Sequence, residues 1–126
     1  PAMPQSLVDC WKTLSKVDYL PEAALINFYG ASAKMGLHQD RDEDFLPAPV
    51  VSLSLGDTAL FRIGGVEKGG HTQSIRLESG DAIVLSGAGR LCFHGIDRIL
   101  HGSSQLLERS GRINITLRRV TDPKSN

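Results

Sequence analysis

The sequence is short of cysteine, of aromatic residues and of net charge. Only Cys10 and Cys92 are present among 126 residues, with no C-x-x-C spacing. A disulfide framework is therefore excluded in favour of reduced thiols in a cytosolic compartment, and both cysteines read as small core residues. Fourteen basic and fourteen acidic residues cancel. The strong basic excess of a general nucleic-acid binder is missing, which argues against tight non-specific binding but leaves room for a local basic patch. No apolar run approaches the twenty or so residues that cross a bilayer and no signal peptide is visible, so the chain is expected to be soluble, cytoplasmic and free of membrane contact. Repeats and low-complexity segments are absent, and only residues 1–4 and 121–126 read as linker-like.

What is present is enough apolar residue for a core: 40% of the chain is hydrophobic, which at this length implies one domain over residues 1–126 that needs neither disulfide nor structural metal. Leu7, Cys10, Trp11, Leu14 and Val17 follow i, i+3, i+4, i+7 spacing behind Pro4, so a helix is expected over 5–17, with Trp11 anchoring it to a sheet. Beyond Pro21 the chain reads as strand: 24–30, 36–39, 50–55, 58–63, 73–78, 81–85, 90–94 and 112–120. Gly56-Asp57, Ser79-Gly80 and Gly87-Ala88-Gly89 punctuate these runs as hairpin turns. The thirteen glycines include no phosphate-cradling pattern between a strand and a helix. Short antiparallel strands with one packed helix imply a mainly β fold, a jelly roll or double-stranded β-helix of the cupin-like kind, able to hold a small molecule between its sheets.

The chemistry centres on His38-Gln39-Asp40. In a strand, residues two apart share a face, so the imidazole and carboxylate stand side by side. They form two thirds of the 2-His-1-carboxylate set that binds non-haem Fe(II) with coordination positions left open. Alone, such a triplet reads as a surface His beside a solvated Asp. His94 ends the apolar run Leu91-Cys92-Phe93, where a neutral imidazole must find a hydrogen bond or a metal. Alone it too reads as a satisfied core histidine, and its pairing with His38 and Asp40 shifts the balance to a ligand. His71, after Gly69-Gly70, and His101, in a polar loop, are assigned no metal role. In the last strand Arg112, Asn114, Thr116 and Arg118 share one face and Ile113, Ile115 and Leu117 the other. This is either a charged outer face or, in a barrel, an interior face whose two Arg call for a dicarboxylate.

The motifs Asn27-Phe28-Tyr29, His38-Gln39-Asp40-Arg41-Asp42-Glu43, Ala48 to Gly56, Phe93-His94-Gly95-Ile96 and Arg112 to Arg118 resemble those of the AlkB family of Fe(II)/2-oxoglutarate-dependent dioxygenases, which repair alkylated nucleic-acid bases by oxidative demethylation. The resemblance runs from about Pro4 to Val120 and includes the ligand separation, 94 − 38 = 56 residues. It implies that His38, Asp40 and His94 bind Fe(II), that Arg112 with Asn114 and Tyr29 holds the distal carboxylate of 2-oxoglutarate, and that Arg118 and Asn27 hold its iron-chelating end. Asp42 falls at the family's position near the exocyclic amine of the base. Leu85 stands where the bacterial archetype carries Trp. The implied reaction consumes 2-oxoglutarate and O2, giving succinate, CO2, formaldehyde and a base such as adenine or cytosine freed of its 1-methyl or 3-methyl group.

The family also has a nucleotide-recognition lid before the barrel, which this chain, starting at Pro1, is expected to lack, so alkylated DNA or RNA should bind weakly. A monomer is expected. Arg41, Arg62, Lys68 and Arg76 read as solvated charges rather than phosphate contacts. Two other readings stay open: a related oxygenase acting on protein or a small molecule, and a non-catalytic metal-binding barrel.

Overall fold

A computed structural model describes residues 2–124. The linker-like readings at Pro1 and at Ser125-Asn126 lie outside the described residues. Helix α1 spans Gln5–Ser15 and ends where Lys16 turns left-handed at φ 62°, two residues before the expected end. Pro4 sits one position earlier than expected, and its carbonyl accepts hydrogen bonds from the Leu7 and Val8 amides. The apolar stripe does what its spacing implies. Trp11 is fully buried against Val51 and Leu117, with Leu7, Leu14 and Val17 beside it, and its indole N–H donates to the Tyr19 carbonyl at 2.8 Å. Cys92 is buried, whereas Cys10 is only half-buried.

Eight strands follow: β1 Ala23–Tyr29, β2 Met35–His38, β3 Val50–Gly56, β4 Thr58–Ile63, β5 Gln73–Leu77, β6 Ala82–Leu85, β7 His94–Leu100 and β8 Arg112–Arg118. They form two four-stranded antiparallel sheets, β1-β8-β3-β6 and β2-β7-β4-β5, the expected jelly roll. Tyr29, Phe61, Leu77, Ile96 and Ile99 pack between the sheets, while α1 covers the outer face of the first. In β8 the polar face points inward: Arg112, Asn114 and Thr116 are buried, and the apolar face, through Ile115 and Leu117, meets the helix.

One strand departs from expectation. Gly87–Gly89 is a short 3-10 turn, continued by hydrogen bonds from the Arg90 and Cys92 amides to Gly87 and Gly89, so the expected strand 90–94 does not form. His94 instead opens β7. The register shifts by one residue between Leu60↔Arg98 and Phe61↔Ile96, a bulge that makes the inward residues Ile96 and Ile99 three apart. Period-two alternation is lost across such a bulge, which hides the strand from pattern reading. At the far end of β8, Glu22 accepts hydrogen bonds from the Val120 and Thr121 amides and the Thr121 hydroxyl, so Thr121 is tied down rather than linker-like.

Candidate metal centre

The β2–β7 register puts His38 directly opposite His94. Close approach of these strands depends on Gly95, where a Cβ would stand 2.5 Å from the Met35 carbonyl oxygen. Asp40 follows two residues after β2 and reaches between the rings: its Oδ1 lies 3.6 Å from His38 Nε2 and its Oδ2 3.4 Å from His94 Nε2. One donor atom from each of the three residues falls within 4.8 Å of the others. The His38 and His94 Nδ1 atoms donate to the carbonyls of Gly36 and Cys92, at 3.0 and 3.1 Å. A carbonyl can only accept, so each Nδ1 donates there and each Nε2 is left turned toward the Asp40 carboxylate. Two imidazole nitrogens and a carboxylate oxygen are the donor set that suits Fe(II). Phe61 stacks on the His94 ring at 5.8 Å and 23°, fixing its plane.

Burial works to raise the pKa of Asp40, but hydrogen bonding from His94 and the charge of Arg118 prevail and hold the carboxyl well below its usual range. Arg118 reaches Asp40 Oδ1 at 3.3 Å and Glu43 at 2.6 Å. Its guanidinium is thus already engaged by two carboxylates.

Arg112 is different. It is 1% exposed, and its Nε and Nη1 have no hydrogen-bond partner among the described residues. Burial depresses its pKa, offset in part by Tyr29, whose ring lies 5.9 Å from the guanidinium carbon. A buried guanidinium with free N–H groups is a site for an anion, and its fork matches a carboxylate. It faces a cavity of about 170 Å³ between the sheets. The β1–β8 register sets Asn27 opposite Asn114 and Tyr29 opposite Arg112, which aims all four into that space. The cavity lining holds His38, Asp40, His94, Asn27, Tyr29, Arg112, Asn114 and Arg118 together. Asn114 is spoken for, however: its amide donates to Ser52 Oγ and the Leu53 carbonyl, and its Oδ1 accepts from Thr116.

Asp42 is exposed and outside the lining. His71 is exposed, and His101, 3.9 Å from Asp57, is far from the cluster in the fold; neither joins it. Arg41 bonds Gln39 and Arg62 pairs with Asp97, both at the surface. Pattern reading missed Leu25, Met35 and Ile83, which with Leu85 make much of the cavity apolar, and the buried pair Glu43 and Arg90 behind Arg118. Glu43 was visible only as part of a motif, and nothing marked Arg90, because pairs separated by 47 residues leave no local signal.

The family model described as the 2OG-Fe(II) oxygenase superfamily matches residues 1–118. The chain is 56% identical over 120 residues to an alpha-ketoglutarate-dependent dioxygenase AlkB homolog of Caulobacter vibrioides, covering 95% of this chain and 54% of that protein. It is 39% identical over 108 residues to the DNA N(6)-methyladenine demethylase ALKBH1D of Arabidopsis thaliana, covering 78% of this chain and 24% of that protein. The solved structure of OsALKBH1 superposes with a TM-score of 0.81 at 34% identity, covering 94% of this chain and 65% of that one. The chain therefore spans about half the length of its bacterial relatives. A match over nearly its whole length, with the donor set and fold just described, makes this chain a member of the 2OG-Fe(II) oxygenase superfamily and, within it, of the AlkB family.

Proposed function

We propose that residues 1–126 are the catalytic core of an Fe(II)- and 2-oxoglutarate-dependent dioxygenase that demethylates alkylated nucleic-acid bases. The observation that carries the reading is the unpaired, buried Arg112 guanidinium at one side of a cavity that also holds His38, Asp40 and His94. A passive metal site needs no such anion grip. His38, Asp40 and His94 hold the metal, Arg112 takes the distal carboxylate of the co-substrate, and Tyr29, kept protonated by burial, offers a donor beside it. Asn27 and Arg118 face the keto-acid end. The bound iron with 2-oxoglutarate and O2 supplies the oxidising chemistry, yielding succinate, CO2 and, from the N-methyl group, formaldehyde. The protein's share is orientation and an apolar, water-poor wall of Leu25, Met35, Ile83 and Leu85.

The relative from Arabidopsis is by name a DNA demethylase, which supports a nucleic-acid substrate. The base would enter past Leu25 and Met35, which line the cavity and are also exposed. Asp42, exposed beyond the lining, belongs to substrate contact rather than to the co-substrate. Holding a flipped base takes aromatic stacking worth about 1–3 kcal/mol per base. Among the described residues Phe28 is the one aromatic with a large exposed surface. Oligonucleotide binding by this chain alone is therefore weak, and the protein acts as a monomer in the cytoplasm. Succinate and formaldehyde release with oligonucleotides carrying 1-methyladenine or 3-methylcytosine tests the reading. Succinate release is expected to run well ahead of formaldehyde release, because oligonucleotide binding is weak. Succinate without formaldehyde on any nucleic acid would favour a protein or small-molecule substrate, and metal binding without succinate would reduce the site to a metal-binding barrel.

A further inference from the structure

Behind the metal centre lie two buried charges, Glu43 and Arg90, that the reaction scheme does not use. Glu43, 8% exposed, sends Oε1 to Arg118 Nη1 at 2.6 Å and Oε2 to Arg90 Nη2 at 3.1 Å. Arg90, 4% exposed, also donates from Nη1 to the main-chain carbonyl of Asp40 and from Nε to that of Ala48 at 2.6 Å. Asp40 is thus gripped twice. Its carbonyl is held by Arg90 and its Oδ1 by Arg118 at 3.3 Å, and Glu43 is the strut that joins the two arginines. Two carboxylates and two guanidiniums balance, so the group is a neutral, satisfied network inside the protein. Asp40 needs such support because it lies beyond the end of β2, where no ladder fixes the chain. With Oδ1 taken by Arg118, Oδ2 stays turned to His94.

We propose that Glu43 and Arg90 are positioning residues for the metal centre, acting through Arg118 and the Asp40 backbone to fix the carboxylate between the two imidazoles. The inference rests on the metal-binding reading of His38, Asp40 and His94. Partners of this kind behind a ligand commonly account for 10- to 100-fold in metal affinity.

The test is Mn(II) binding by calorimetry to the folded apo-protein, with unfolding temperature and the Mn(II) paramagnetic resonance spectrum measured alongside. Glu43→Gln and Arg90→Gln are each expected to weaken Mn(II) binding 10- to 100-fold and to alter the spectrum. The double variant should be no weaker than the worse single one, because the two side chains act as one strut. Arg90→Lys keeps the buried charge without the fork and serves if Glu43→Gln does not fold; it should show at least the ten-fold loss. Arg62→Gln, which breaks a surface pair, is the control and should bind normally. Lower unfolding temperature with Mn(II) affinity within two-fold of the parent would make the network purely structural and overturn the proposal. Additive losses would overturn the single-strut arrangement. Failure of the parent chain itself to bind Mn(II) would instead overturn the metal-centre reading.

Discussion

At the scale of single residues, the sharpest distinction is between groups that are satisfied and groups that are not. Asp40 and the two imidazoles bring three donor atoms within 4.8 Å of one another, so Asp40→Ala and His94→Ala should abolish metal-dependent succinate production, while His71→Ala and His101→Ala leave it within two-fold; an assay of the four variants decides. Among the described residues Arg112 is the unsatisfied buried cation. Lysine keeps its charge but not the paired hydrogen bonds, so Arg112→Lys should raise the 2-oxoglutarate concentration for half-maximal turnover by about thirty-fold, on the order of 2 kcal/mol, with Mn(II) affinity little changed. Glu43 is satisfied, and this has a pH signature. Burial opposes its ionisation, but hydrogen bonds and charge from Arg118 and Arg90 prevail, so its pKa is lowered from 4.5. A depressed folded value means that its stabilisation is complete above the unfolded pKa and is lost as pH falls toward the folded one. Apo-protein melting temperature should therefore drop as pH is lowered from about 5 to about 3, and Glu43→Gln should flatten that slope in calorimetric scans.

At the scale of elements, β2 is four residues long and lies at a sheet edge, yet it carries a proposed ligand. It is placed by the absence of a side chain at Gly95, since a methyl there would meet the Met35 and Gly36 backbone at 2.5 and 2.9 Å. Gly95→Ala should push β2 and His38 away from His94. Overpacking of this kind costs about 1–3 kcal/mol of stability, but a displacement near 1 Å at a reacting centre can cost about a hundredfold in rate. Turnover should therefore fall further than the melting temperature implies. Helix α1 offers the opposite case. Trp11→Ala should cost about 3–5 kcal/mol in denaturant unfolding while leaving Mn(II) affinity of the folded form unchanged, because the helix packs on the outer face of its sheet, across from the cavity.

At the scale of the whole molecule, the two imidazoles of the proposed metal site and the proposed anion residues belong to different sheets. His38 and His94 lie on β2 and β7, whereas Asn27, Tyr29, Arg112 and Arg118 lie on β1 and β8. A molecule bound to both the metal and Arg112 ties the sheets together. Mn(II) and 2-oxoglutarate together should therefore raise the melting temperature by more than the sum of their separate effects; each ligand at a hundred times its Kd adds about 2.7 kcal/mol. Equal or merely additive shifts in differential scanning fluorimetry would mean that the two sites are uncoupled.

The sequence by itself determined what local periodicity and residue chemistry can carry. The helix stripe around Trp11 and the two faces of β8 are consequences of fixed spacing along one element, and the structure keeps them; His38 and Asp40 do stand side by side, but Asp40 lies past the end of β2 and is held there by Arg90 and Arg118 rather than by strand alternation. His38, Asp40, His94 and the two arginines of β8 were legible from their chemistry, whereas the roles of Asn27, Tyr29 and Asn114 came from the resemblance to the AlkB family, and the fold gathers all eight around one cavity. What only the tertiary structure decided depends on contacts between residues far apart in the chain. The 3-10 turn at Gly87–Gly89 moves the start of a strand to His94, and the bulge opposite Leu60 and Phe61 breaks that strand's alternation. The β2–β7 register sets one imidazole against the other. Asp42 and Glu43 are adjacent acids in the same motif, yet one faces solvent and the other joins the buried Arg90 to the half-buried Arg118, 47 and 75 residues further along. Adjacent residues in an irregular segment have no fixed period, so burial there is assigned by the partners that the folded chain brings up to them.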